Sequence, residues 1–214
     1  MVKVTYDDRG NLITKKVKHD IYNEKVTVET NEYDLNNNLI SKSDAYHKIY
    51  DYEYNSLGQL IKKTTAVDRK NVYMPDENGI YGNQVIEINY IEEYEYDKTG
   101  NLIKQKDSNG KVILYSYDNK GNIVKTVEQK EDGTEAITIT KEYDNNSNLI
   151  KEVDGNGNVT TYTYDSLNNL IKIKDALNRE TTYEYDSRNN KIKETNYLGN
   201  SKTYSYDNYD RLIE

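Results

Sequence analysis

Short clusters of apolar and β-branched residues recur along the whole chain, each about seven residues long and separated by Asn, Asp and Gly. In clusters such as "TTYEYD" (residues 181–186), aromatic and polar positions alternate. A period of two is typical of a β-strand, and about seven residues is an ordinary strand length and too short for most helices. The pattern therefore predicts an all-β chain of short strands.

One motif, Tyr-Asp-x-x-Gly-Asn-Leu-Ile, recurs about every 21 residues along the chain. Its tyrosine stands at Tyr6, Tyr33, Tyr54, Tyr96, Tyr117, Tyr143, Tyr164, Tyr185 and Tyr206. We interpret the long interval between Tyr54 and Tyr96 as two periods with a degraded copy between them. The slightly long intervals after Tyr6 and Tyr117 are interpreted as single periods with insertions.

The residue after each repeated tyrosine is Asp in eight of the nine copies, with Asn55 as the exception. The acids of the best copies are Asp97, Asp118, Asp165 and Asp186. Three positions further on, eight of the nine copies carry Gly, Asn or Asp, including Gly100 and Gly121. These residues tolerate positive φ, so the motif predicts a type I turn closed by a G1 bulge, a common three-residue hairpin connection.

A second set of turn signals follows at about half the period after the repeated tyrosines. It comprises "DAYH" at Asp44, "DSNG" at Asp107, "DGNG" at Asp154, "DALN" at Asp175 and "NYLG" at Asn196. Each repeat is therefore predicted to be one β-hairpin. Tandem hairpins of about 21 residues would form a long, twisted, curled antiparallel sheet, either an open strip or a partial spiral shell.

The two faces of this sheet differ in chemistry. In Tyr-x-Tyr segments such as Tyr115 and Tyr117, both rings lie on one face, which predicts ladders of aromatic neighbours. The aliphatic pair after each turn is expected to place one apolar residue on each face. The next position is Lys in six of nine copies, which predicts a solvated column that guards against edge-to-edge pairing.

We predict a single repeat array over residues 1–214, with copies starting near the repeated tyrosines, a degraded copy at 72–89, and no separate toxin or core domain. The degraded copy contains Pro75, the only proline, and is expected to leave the sheet as a loop that covers an edge or a face. The repeat runs to both ends, which predicts a fragment of a longer array or self-association through edge strands.

The net charge of -8 with mixed signs along the chain argues against nucleic acid as a partner. The chain has no Cys, so disulfides and thiolate chemistry are excluded. Neither a signal peptide nor an apolar stretch long enough to span a membrane is present in this sequence.

The 23 tyrosines occur in a chain without Phe or Trp. They are expected to serve as the main apolar filler, with hydroxyls at a wet boundary. The alternative is a carbohydrate- or cell-surface-binding module, because aromatic faces stack on sugar rings. If a binding site exists, we expect it between Val72 and Asn89, where the period breaks.

Candidate chemistry is sparse. Asp154, Asn156 and Asn158 have the alternating oxygens that open a calcium loop, but the later bidentate Glu is missing and a turn explains the segment better. His19 and His47 are the only histidines, and no Ser-His-acid constellation is visible. The sequence therefore predicts no enzyme and no cofactor.

The repeated Tyr-Asp-x-x-Gly, polar residue, Leu and aliphatic residue resembles the YD repeat of the rearrangement-hotspot (RHS) proteins, found also in teneurins and in insecticidal toxin complexes. The polar column is usually Arg in that family. Here it is Asn in seven of nine copies, with Gln59 and Arg211 as exceptions, and we attribute this to an Asn- and Lys-rich composition rather than to function.

The resemblance implies a strip of β-hairpins that spirals into a hollow shell around another polypeptide, often a toxin of the same chain. It implies a secreted or cell-surface location within a larger bacterial protein, and as partners the remaining repeats or the toxin cargo. The Asp-Pro-x-Gly-Leu cleavage motif of such shells is missing, because the sequence contains no Asp-Pro. Self-cleavage and toxin activity are therefore not expected, and a wall segment is.

Overall fold

The computed structural model describes residues 2–18, 25–44, 49–75, 77–130 and 132–213. The chain consists of two compact units, residues 1–111 and 112–214. The described residues form antiparallel strands and turns, which confirms the all-β prediction. Among them there is no helix long and apolar enough to cross a membrane.

The first unit is a meander in which each strand pairs antiparallel with the next in sequence. Its strands are β1 (Val2–Tyr6), β2 (Leu12–Lys18), β3 (Lys25–Tyr33), β4 (Leu39–Asp44), β5 (Ile49–Tyr54), β6 (Leu60–Pro75), β7 (Tyr81–Tyr96) and β8 (Leu102–Asp107).

The second unit repeats this arrangement with shorter strands, again paired in chain order. Its strands are β9 (Val112–Tyr117), β10 (Ile123–Gln129), β11 (Glu135–Tyr143), β12 (Leu149–Val153), β13 (Val159–Tyr164), β14 (Leu170–Lys174), β15 (Glu180–Tyr185), β16 (Lys191–Thr195) and β17 (Ser201–Thr203).

The turn that follows each repeated tyrosine, here called a Tyr-Asp turn, has the predicted geometry. In the turn that joins β11 to β12, the Ser147 amide donates to the Asp144 carbonyl at 3.1 Å and the Asp144 amide donates to the Asn148 carbonyl at 3.0 Å. Ser147 has φ +65°, as a G1 bulge requires. The same two bonds close all nine Tyr-Asp turns, so the hairpin prediction is confirmed.

The opposite ends of the strands are joined by a second set of turns, here called distal turns. Those predicted at Asp107, Asp154, Asp175 and Asn196 have the same pair of backbone hydrogen bonds. A further distal turn at Lys130 was not predicted, because Lys replaces the usual Asp there. The turn predicted after Asp44 lies outside the described residues.

A bulge follows each of the eight Tyr-Asp turns that join two strands. In the hairpin of β5 and β6, Tyr54 lies opposite Leu60 while Glu53 lies opposite Lys62, so Ile61 is the extra residue. Without the bulge, Leu60 and Lys62 would share a face, since side chains alternate along a strand. The expectation that the two aliphatic residues simply alternate between faces is therefore wrong, and the bulge moves the lysine to the face opposite the tyrosine.

The interpretation of residues 72–89 as a degraded copy that leaves the sheet is also wrong. Strands β6 and β7 each have 16 residues and stay paired from Lys62 with Glu93 to Pro75 with Tyr81. A degraded copy would have kept a Tyr-Asp turn midway, and this hairpin has one distal turn at its far end instead. The long interval in the repeat is thus one lengthened hairpin, and Pro75 stands at the last pair before its turn.

The sheet has little closed interior. Val127, 5% exposed, is the only apolar residue among those described that counts as buried. In β5 the three tyrosine-face positions are half-buried and the residues between them, Asp51 and Glu53, are exposed. The tyrosine face therefore packs laterally, each side chain against its neighbours on the adjacent strands, and contacts between repeats replace a core.

Candidate functional site: the row of Tyr-Asp turns

The carboxylate of the Asp in each Tyr-Asp turn is saturated by its own turn. Asp144 Oδ1 accepts hydrogen bonds from the backbone amides of Asn146 at 2.8 Å and Asn148 at 2.9 Å. Its Oδ2 accepts a third bond from the Asn148 side chain at 2.9 Å. This set of bonds fixes the turn from within, and Asn55 Oδ1 accepts the same two backbone bonds in its own turn.

These hydrogen bonds favour the charged carboxylate. In one turn, the side-chain hydrogen bonds of Thr99 and Asn101 lower the pKa of Asp97 to about 2. The side chain of Asn122 lowers the pKa of Asp118 in the same way. For Asp165 and Asp186, the largest lowering of the pKa comes from the backbone amide four residues on.

The position that follows the left-handed residue of each Tyr-Asp turn is here called the polar column, and its Asn also forms hydrogen bonds to the next repeat. The side-chain amide of Asn148 donates to Asn168 Oδ1 at 2.8 Å, and Asn168 is the left-handed residue of the following Tyr-Asp turn, with φ +65°. Equivalent bonds run from Asn11 to Asn37, Asn122 to Ser147, Asn169 to Asn189 and Asn190 to Asp210. In every case the donor belongs to the earlier repeat and the acceptor to the later one.

This asparagine ladder, defined as the side-chain bonds between the polar column and the next left-handed residue, was missed from the sequence. Attributing the Asn column to composition alone is incorrect. Arg211, at the same position, donates its Nε to Asp207 Oδ2 at 2.6 Å, the acceptor that Asn uses in the other turns. Asn thus performs the turn-closing role of Arg, and its short amide can also link to a neighbouring turn.

The repeated tyrosines also connect neighbouring repeats, because their hydroxyls donate hydrogen bonds to backbone carbonyls of the preceding repeat. The hydroxyl of Tyr185 donates to the carbonyl of Leu170 at 2.9 Å, in the preceding repeat. The same bond joins Tyr33 to Leu12, Tyr54 to Leu39, Tyr96 to Leu60 and Tyr206 to Lys191. Burial raises the pKa of Tyr54, Tyr164 and Tyr185 above the ordinary value of a tyrosine.

The other repeated tyrosines occupy the same column. Tyr117, Tyr143 and Tyr164 are half-buried, while Tyr6, in β1, is 59% exposed. The nine tyrosines thus stand at equivalent positions of their repeats, and their role as packing residues stays a prediction.

The predicted lysine column is paired rather than simply solvated. Lys62, Lys104, Lys151 and Lys193 each contact the Glu opposite them in the hairpin, with Nζ to carboxylate distances of 2.6 to 2.8 Å. These pairs are largely exposed and contribute little stability individually. Their regular placement fixes the charge pattern of one face.

Two of the three candidate calcium ligands, Asp154 and Asn158, form side-chain hydrogen bonds within a distal turn. Asp154 accepts hydrogen bonds from the amides of Asn156 and Asn158 and from the Asn158 side chain, all at 2.9 Å. Within the described ranges, no group of three or more His, Cys, Asp or Glu residues could hold a metal ion. His19 and His47 lie outside the described residues.

Comparison with protein families identifies the repeat. Residues 96–135, 143–177 and 164–196 match the RHS Repeat family model. No curated protein sequence matches the chain.

Several solved structures share the fold over 99% of the chain. The structure titled "Crystal Structure of TcdB2-TccC3" matches with a TM-score of 0.76 and 19% identity. The structure titled "Crystal Structure of TcdB2-TccC3-Cdc42" matches with a TM-score of 0.75 and 18% identity. A Photorhabdus luminescens Tc holotoxin pore matches with a TM-score of 0.74 and 20% identity. The chain corresponds to 11 to 12% of the length of those chains.

Proposed function

Because three overlapping or separate segments of the chain match the RHS Repeat family model, we propose that the chain is a non-enzymatic wall segment of a larger shell, which encloses or contacts another polypeptide. The observation that carries this proposal is the combination of a nearly absent core with continuous bonding between repeats. Of the described apolar residues only Val127 is buried, whereas side-chain bonds join successive Tyr-Asp turns. A chain of this kind is extended by adding repeats, and its faces remain available for contact.

The structural matches support the same interpretation. The chain aligns over 99% of its length with 12% of a chain in the TcdB2-TccC3 structure. The proposed partners are accordingly the remaining repeats of a larger chain or a polypeptide held by them. A secreted or cell-surface location, as part of a larger bacterial protein, follows as part of the proposal.

Protease protection in the natural full-length product tests this function. We expect a polypeptide outside residues 1–214 to resist protease while the wall is intact. Replacing both Asn148 and Asn169 by Leu removes two rungs of the asparagine ladder and is expected to expose that polypeptide. The matched control replaces Asn119 and Asn208, exposed turn residues outside the ladder, by Leu.

Equal digestion of the partner polypeptide in the intact, ladder and control proteins would contradict the wall function. A hydrolytic or transferase activity that maps to residues 1–214 would also contradict it.

Carbohydrate binding by the tyrosine face stays a prediction. The hydroxyls of several repeated tyrosines are used within the sheet, and the most exposed rings among the described residues are Tyr6, Tyr73, Tyr81, Tyr197 and Tyr209. Specific glycan-array signals lost on replacing one of these rings by Ala would favour a binding module. The site expected between Val72 and Asn89 likewise stays a prediction, with Tyr73 and Tyr81 forming a tilted pair at 5.9 Å between ring centroids.

A further inference from the structure

A notch opens between two neighbouring distal turns of the second unit, those that begin at Asp154 and Asp175. Its volume is about 430 Å³, and Asn158, Val159, Thr161, Lys174 and Asn178 are among its lining residues. The notch exists because β13 and β14 are joined at the Tyr-Asp end, so their other ends run into separate turns. Its size falls within the range of ligand sites in proteins.

Lys174 gives the notch a positive charge that is not part of an ion pair within the described residues. The neighbouring Lys172 pairs with Glu180 at 3.2 Å, and Arg179 pairs with Asp175 at 2.6 Å. Lys174 forms no ion pair with any residue in the described part of the chain, although Glu180 lies opposite it in the strand register. The side chain of Asn178, in the left-handed conformation with φ +58°, likewise has no partner among the described residues.

Exposed apolar side chains lie on the Asp175 turn, which borders the notch, and on the next distal turn, which begins at Asn196. Leu177 is 70% exposed, Leu198 is 67% exposed, and Tyr197 is 53% exposed. The guanidinium of Arg179 lies 4.8 Å from the centroid of the Tyr197 ring, which ties the two turns together. Leu177 and Leu198 stand at the tips of consecutive distal turns, and together with Tyr197 they form a local apolar surface.

We infer that this surface, made of the notch and the turn tips Leu177, Tyr197 and Leu198, docks an extended polypeptide segment that carries apolar side chains and a carboxylate. The apolar side chains cover the turn tips, and the carboxylate pairs with Lys174 and accepts a bond from the Asn178 amide. The choice of an acidic rather than a basic segment rests on charge complementarity, because Lys174 is the unpaired charge of the notch. The inference rests on the proposed function, since it names the surface with which the wall contacts a polypeptide.

Nuclear magnetic resonance titration of the whole chain tests the inference with three end-blocked synthetic peptides. One alternates Leu and Asp, the second replaces Asp by Asn, and the third replaces Leu by Ser. We expect saturable shifts of the backbone amides of Gly157, Asn158 and Asn178 with the first peptide only. Lys174→Gln should weaken its binding about tenfold, as expected for the loss of one charge-assisted contact.

Two matched controls distinguish specific docking from non-specific hydrophobic or ionic binding. Leu177→Ser should weaken binding, whereas Leu167→Ser should not, because Leu167 occupies the same position of a Tyr-Asp turn at the other end of β14. Lys172→Gln should leave binding unchanged, because Lys172 is already paired with Glu180.

Three results would overturn the inference: no saturable shift in the notch, equal binding of the Asp and Asn peptides, or equal effects of Lys174→Gln and Lys172→Gln. The same shifts on concentrating the chain without peptide would identify a second copy as the occupant and would also overturn it. Because the titration uses the isolated chain, its failure leaves protease protection in the full-length product as an independent test of the wall.

Discussion

The side-chain amide of Asn148 lies 2.8 Å from Oδ1 of Asn168, which belongs to the next turn of the row. Asn168 needs a left-handed backbone, and Gly would adopt that conformation at lower cost. The side chain at this position therefore has a use that offsets the backbone cost. It accepts the amide of the preceding repeat and helps to align two hairpins.

A double-mutant cycle measures this link. Asn148→Ala and Asn168→Gly are expected to be coupled by about 1 kcal/mol in the free energy of unfolding, the usual net worth of a hydrogen bond. Urea unfolding of the two single variants and the double variant gives the coupling. Combining Asn148→Ala with Asn189→Gly, one repeat further along, should give a coupling near zero. Equal coupling in the two cycles would show that the ladder bond has no specific role.

Tyr185→Phe tests the hydrogen bond that a repeated tyrosine donates to the preceding repeat. Removing the hydroxyl leaves the Leu170 carbonyl without its side-chain donor, so we expect a loss of about 1 kcal/mol in the free energy of unfolding. Tyr6→Phe is the control, because the Tyr6 hydroxyl has no hydrogen-bond partner among the described residues. Losses of equal size in both variants would trace the effect to the strand environment and not to the bond.

Gly155→Ala tests a close contact between a strand and a distal turn. A Cβ at residue 155 would lie 2.5 Å from Ile137 Cγ2, so the variant is expected to lose about 1 to 3 kcal/mol of stability by overpacking. Adding Ile137→Ala should recover much of the loss. Gly82→Ala, where a Cβ meets nothing within 4 Å, is the control for removing a glycine and should be close to neutral.

The turn aspartates predict acid sensitivity. The folded pKa of Asp97 is about 2 and its ordinary value is 3.8, so between these values the unfolded chain binds more protons than the folded chain. The stabilising effect of the charged Asp97 is therefore complete above its ordinary pKa and is lost as the pH falls through about 2.

Urea unfolding at pH 7, 4 and 2.5 should show falling stability, and nuclear magnetic resonance of the carboxyl carbon should show Asp97 titrating near 2. Asp97→Asn should reduce the pH dependence and keep the turn, because Asn55 accepts the same two backbone hydrogen bonds in its own turn. A normal titration of Asp97 in the folded protein would contradict the role of these bonds.

The turns could be predicted from the sequence because their causes are local. Asp followed three residues later by Gly or Asn specifies both the acceptor and the left-handed residue, and six of the nine Tyr-Asp turns follow this rule. The asparagine ladder could not be predicted, because its bonds join residues that lie a whole repeat apart in sequence. Only the three-dimensional structure brings Asn148 next to Asn168, and Arg211 shows that another donor also satisfies the turn.

The long interval between Tyr54 and Tyr96 was misinterpreted for a different reason. A degraded copy and two lengthened strands both add about one period, so the interval alone cannot distinguish them. The alternation of polar and apolar residues continues through "VIEINYIEEYEY", which favours one long strand over a loop. The faces of the two aliphatic residues after each turn were wrongly predicted for a similar reason. The prediction assumed strict alternation along the strand, and the sequence pattern does not reveal the bulge that interrupts it.

The long hairpin of β6 and β7 shows that the two ends of the strands differ in how they accommodate extra length. Every Tyr-Asp turn keeps the same length and the same hydrogen bonds, while the longer intervals that begin at Tyr6, Tyr54 and Tyr117 are all accommodated on the distal side. Length changes on that side leave the register between repeats intact. A hairpin can therefore be lengthened at its distal end, and present new side chains there, without altering the Tyr-Asp turns or the side-chain bonds between them.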